Sequence, residues 1–170
     1  TIPAQPGDSN VYYRVRAEDR VGNVFVEDDG GISYQYTVQG SSSKAITVQP
    51  GQNVQVNVAD QIPTLKVTIT LTVTTPIELQ VTQLPSNPGG TPPPGTAALG
   101  IFMQINANES ISLDARIRLF YDDSQVQAQN LNETTLIPYY WDGTAWVGLE
   151  SVTRDTQANW VEGTVHHFSL

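Results

Sequence analysis

The residues best equipped for chemistry stand together at the end of the chain, His166-His167-Phe168-Ser169. Ser169 Oγ can add to the carbonyl of Phe168 while His167, or its neighbour His166, takes the hydroxyl proton near the ordinary histidine pKa. An N-to-O acyl shift of this kind leaves an ester that water hydrolyses, and backbone strain held by a surrounding sheet would drive it. The same residues also read as plain strand. Val165, His167 and Ser169 alternate with His166, Phe168 and Leu170, a pattern that puts Phe168 in a core.

Other groupings suggest binding rather than catalysis. Tyr139, Trp141 and Trp146 within "YYWDGTAWVGL" could stack on sugar rings as a carbohydrate platform. The same stretch is a hairpin signal: Asp142-Gly143 supplies the turn, and Trp141 and Trp146 then meet across strands. Acidic pairs at Asp28-Asp29 and Asp122-Asp123 could hold calcium through loop carboxylates and carbonyls. Neither has the spaced ligand ladder of a dedicated calcium loop, so each also reads as a solvated turn. Asn108 ("NES") and Asn132 ("NET") are acceptors for N-glycosylation if the source glycosylates exported proteins. No nucleophile elbow, zinc-spaced histidine pair or Gly-rich phosphate loop occurs, and the expectation is of a protein that is not a multiple-turnover enzyme. Calcium is the only cofactor suggested.

Seventeen acids against 8 bases give a formal charge of -9 over 170 residues. Arg14, Arg16, Arg20, Arg116 and Arg118 come nearest to a basic cluster, and acids flank them, so no nucleic-acid partner is expected. The acidic balance suits an extracellular or cell-surface protein. The absence of cysteine excludes a disulfide-stapled scaffold and a thiolate zinc site. No apolar run approaches the roughly 20 residues of a membrane helix. "TIPAQPGDSN" has neither an initiator Met nor an apolar core, and the chain reads as a piece of something longer.

The elements that must position these residues are strands. "LKVTITLTV" places Leu65, Val67, Ile69, Leu71 and Val73 on one face and Lys66, Thr68, Thr70 and Thr72 on the other. "VQVNV" at 54–58 and "IELQV" at 77–81 repeat the period, and "ISLDARIRLFY" turns Ile111, Leu113, Ala115, Ile117, Leu119 and Tyr121 inward. Short strands with regular turn signals predict an all-β antiparallel sandwich. "QGSSSK" reads as a polar linker, and "LPSNPGGTPPPGT" as an exposed, partly polyproline loop inserted in one sandwich, with the strand pattern resuming at Leu99.

Two stretches resemble known modules. "VYYRVRAEDRVGNVFVEDDGGISYQYTV" is similar to the closing strands of immunoglobulin/fibronectin-like surface modules of bacteria and archaea. The region from "ISLDARIRLFYDD" through "YYWDGTAW" to the final "HFS" resembles C-terminal β-sandwich modules of prokaryotic secreted cell-surface proteins. That ending also looks like ZU-type sandwiches, some of which cleave themselves between Phe and Ser. The resemblance would put such autoproteolysis on His167, Phe168 and Ser169.

The resulting expectation is an immunoglobulin-like remnant over residues 1–38, a linker at 39–43, and a β-sandwich over 44–170 with a Pro-rich loop at 84–96. The function expected is that of an extracellular structural or adhesion module, as in a stalk, sheath or filament. Its partners would be other copies of itself or the rest of a larger surface protein. A self-processing domain and a carbohydrate-binding module are the alternatives.

Overall fold

Period-two alternation becomes two facing sheets. The computed structural model describes residues 10–13, 15–27, 34–37, 42–89, 91–108 and 112–168. The chain divides into two units, Thr1–Ser41 and Ser42–Leu170.

In the first unit, β1 (Asn10–Tyr13) pairs antiparallel with β4 (Tyr34–Thr37), and β2 (Val15–Glu18) with β3 (Val24–Glu27). The β2–β3 turn is set by Asp19. Its Oδ1 accepts the N–H groups of Val21 and Asn23, each at 2.9 Å, and its Oδ2 accepts Asn23 Nδ2 at 2.7 Å. Gly22 takes a φ of 90° there, a conformation glycine adopts without a Cβ clash.

The second unit is an all-β antiparallel sandwich. One sheet contains β6 (Gly51–Asn57), β7 (Val67–Val73), β10 (Ser112–Phe120), β14 (Trp160–His167) and β13 (Glu150–Asp155), in the order β13-β14-β10-β7-β6. The other contains β5 (Ser43–Val48), β8 (Ile77–Gln83) and β9 (Met103–Ala107), in the order β5-β8-β9. The inner faces share one core: Val56, Val67, Ile69, Leu71, Ala115 and Ile117 from the first sheet, Val48, Ile77, Leu79 and Val81 from the second. The ladder aligns Val56, Ile69 and Ile117 across β6, β7 and β10, and Ile69 has no exposed surface. The register expected for β7 is therefore the one observed. Thr70 departs from expectation: although it lies on the outer face it is buried, because Gln55 and Arg116 flank it in the ladders on either side.

Three features differ from the sequence reading. The strand expected from Leu99 begins only at Met103. The continuous alternation expected through β10 is interrupted by a bulge between Ser112 and Ala115, and Ile111 lies outside the described residues. A short helix, α1 (Asp123–Ala128), follows β10 where no helical period was read. It buries Val126 and is entered through Asp122, whose N–H donates to Gln125 Oε1 at 3.3 Å. Beyond it, β11 (Tyr139–Trp141) and β12 (Trp146–Gly148) form a separate hairpin.

Candidate functional site

The hairpin is built as its sequence dictates. Asp142 Oδ1 accepts the N–H of Ala145 at 2.7 Å and the N–H and hydroxyl of Thr144, both at 2.8 Å, while Gly143 takes a φ of 100°. The Ala145 and then the Thr144 hydrogen bonds hold the Asp142 carboxyl below its ordinary pKa, because they favour the charged form. Trp141 and Trp146 face each other across the ladder with ring centroids 5.5 Å apart and planes inclined by 60°. Such a pair is an ordinary cross-strand contact, worth about 0.5–1.5 kcal/mol beyond area burial.

The Pro-rich segment between β8 and β9 is mostly exposed, as expected, but at Gly89 it lies against this pair. Gly89 lies so close that a Cβ there would fall 2.5 Å from Trp141 Cε3 and 2.8 Å from Trp146 Nε1. Only glycine brings backbone this near an indole. A ring face already covered by backbone cannot also stack on a sugar, so Trp141 is not an open platform, and both tryptophans are half-buried. The Nε1–H of Trp146 is buried with no acceptor among the described residues.

Beneath the hairpin and this loop lies a cavity of about 840 Å³. Ile117, Leu119, Val161 and Val165 form its floor from β10 and β14, with Met103 and Ile105 of β9 on another wall. Tyr139, Trp141 and Trp146 line it, and so do His167 and Phe168. Two candidate groups that are separate in the sequence thus meet around one space. The loop wall, Met103, Ile105 and Ile117 were not read as site residues. Their only sequence signal, apolar alternation, is the same for core and for cavity lining.

The two histidines point to opposite faces of β14. His167, on the same side of β14 as Val165, is exposed, its ring edge-on to Tyr140 at 5.7 Å between centroids. His166 turns outward, with Nδ1 at 2.6 Å from Asp114 Oδ1 and Nε2 at 3.4 Å from Glu150 Oε2. Asp114 belongs to the β10 bulge and Glu150 to β13, so the ring ties three strands together. The Asp114 bond, and then the Glu150 bond, raise the His166 pKa, because a ring donating from both nitrogens is favoured as imidazolium. Phe168 is buried in the core, and Ser169 lies outside the described residues.

The remaining candidates are dispersed. Asp122 pairs with Lys66 Nζ at 3.2 Å and Asp123 opens α1, while Asp28 and Asp29 lie outside the described residues. Among the described residues no three His, Asp or Glu side chains converge as a metal site. Asn108 and Asn132 are both exposed. Asn108 Oδ1 accepts the Glu78 N–H at 3.0 Å, and Asn132 Oδ1 accepts the Thr134 N–H at 3.0 Å and its hydroxyl at 2.8 Å. Glu133 accepts the Tyr121 hydroxyl at 3.4 Å; burial, and then this carboxylate, push the Tyr121 pKa up. No described helix is long and apolar enough to cross a membrane. Comparisons of the chain with models of known protein families, with curated proteins and with solved structures gave no match.

Proposed function

We propose that this chain is a structural assembly module of an extracellular cell-surface protein, a component of a stalk, sheath or filament. The observation that carries the reading is the apolar surface of the β2–β3 ribbon. Val15, Val24, Phe25 and Val26 are 52, 48, 62 and 43% exposed. Phe25 stands opposite Ala17 on one face, while Val24 and Val26 lie on the other beside Glu18 and Arg16. A two-stranded ribbon is marginal in water and its edges invite pairing. Cover by a neighbouring module or a second copy supplies the missing burial, and a head-to-tail contact of that kind propagates into a filament. The acidic charge of -9 and the resemblance of this stretch to surface modules agree with the reading.

Light scattering of the chain against a Val15→Ser/Phe25→Ser double variant tests it. Concentration-dependent assemblies that the double variant loses are the expected result. A monomer at every concentration, with amides of residues 10–37 exchanging as in an unfolded peptide, would overturn it.

A further inference from the structure

The large apolar side chains left exposed among the described residues fall in two places. Tyr12, Val15, Val21, Val24, Phe25 and Val26 belong to the first unit, and Ile137 to the second. Ile137 lines the half-open cavity of about 840 Å³. The aliphatic floor of that cavity, on β10 and β14, is accompanied by exposed polar residues, among them Gln104, Asn132 and His167. An apolar centre with a polar, solvent-reached border is the make-up of a protein interface. The β2–β3 ribbon presents a surface that suits it. Val15, Ala17 and Phe25 share one face, with Phe25 opposite the small Ala17 and diagonal to Val15. Diagonal neighbours on one face are close enough for an aromatic ring and a branched side chain to act together.

We propose that this cavity is the docking site for the β2–β3 ribbon of a second copy of the chain, with Phe25 and Val15 entering beside Ile137. The inference rests on the assembly reading above and names the surface that accepts the ribbon. A second copy is the occupant because one chain carries both halves of the contact, and so supplies them in equal number. Ribbon and cavity belong to different units, so the contact is heterologous. A copy that has inserted its ribbon still offers its own cavity to the next, and growth proceeds head to tail.

The test uses the full chain and sedimentation velocity over a series of concentrations. Ile137→Arg sets a charge in the cavity at an exposed position, and Ala98→Trp narrows the cavity from the loop. Each should weaken self-association by at least about tenfold, the loss of one interface anchor, in protein whose circular dichroism and melting match the parent. An equimolar mixture of Val15→Ser/Phe25→Ser with Ile137→Arg is the discriminating measurement. The first variant keeps its cavity and the second its ribbon, so the mixture should form a 1:1 dimer that neither forms alone. Suppose the ribbon variant has lost assembly. Parent-like assembly by both cavity variants, or a mixture that stays monomeric, would then overturn the docking site and leave the assembly reading standing. A parent that is monomeric at every concentration, or a ribbon variant that assembles like the parent, would overturn both.

Discussion

Ile69→Ala is the sharpest probe of the sandwich. Ile69 has no exposed surface and sits on β7, which is paired on both sides, with Val56 and Ile117 opposite it in the two ladders. Truncation removes three carbons, and about 0.8 kcal/mol for each gives about 2.4 kcal/mol of lost transfer free energy. A strand held on both sides cannot collapse inward, so a cavity contribution adds to this and the total should reach about 4 kcal/mol, within the 2–5 typical of such changes. Ile69→Val removes one carbon and should cost about 1 kcal/mol. Thr68→Ala, one residue away on the outer face, should cost about 0.5 kcal/mol. Urea unfolding followed by tryptophan fluorescence is the assay, since Trp141, Trp146 and Trp160 all belong to the second unit and report on it alone. With an m-value of about 2 kcal/mol/M, the midpoint for Ile69→Ala should fall by about 2 M. A loss below about 1 kcal/mol, or a Thr68→Ala variant as damaged as Ile69→Ala, would refute the placement of the core.

Gly163→Ala should destabilise, although alanine usually improves a glycine whose φ it can share. Its Cβ would stand 2.5 Å from Leu149 Cβ and 3.2 Å from Pro138 Cγ. Leu149 Cβ is fixed to the backbone and cannot rotate away, so the substitution should cost about 1–3 kcal/mol in the same urea assay, and any gain in stability would contradict the close packing of β14 against this segment. The His166 clasp should give stability a pH dependence. Its folded pKa is raised above the ordinary 6.5, so its contribution is complete below pH 6.5 and disappears as pH rises through the folded value. Melting temperatures of the parent and His166→Ala should differ at pH 5.5 and converge toward pH 9; a constant difference would place the effect elsewhere.

The strand alternation in "LKVTITLTV" and the turn chemistry of "WDGTAW" are local, and such signals suffice for the all-β class, the register of β7 and the Trp141–Trp146 pair. A six-residue helix is too short to show a period, so α1 left no trace beyond its capping residues. The burial of Thr70 depends on its neighbours across the sheet, not on its own polarity. The pairing of His166 with Asp114 and Glu150 could not be read from spacing, because it depends on which strands neighbour β14 and on a bulge that re-aims the chain. The cavity is likewise a property of tertiary structure. Apolar residues that fill a core and apolar residues that line a space are identical in sequence. What separates them here is how the Pro-rich loop comes to rest on the hairpin, with Gly89 against the two indoles and open volume beneath.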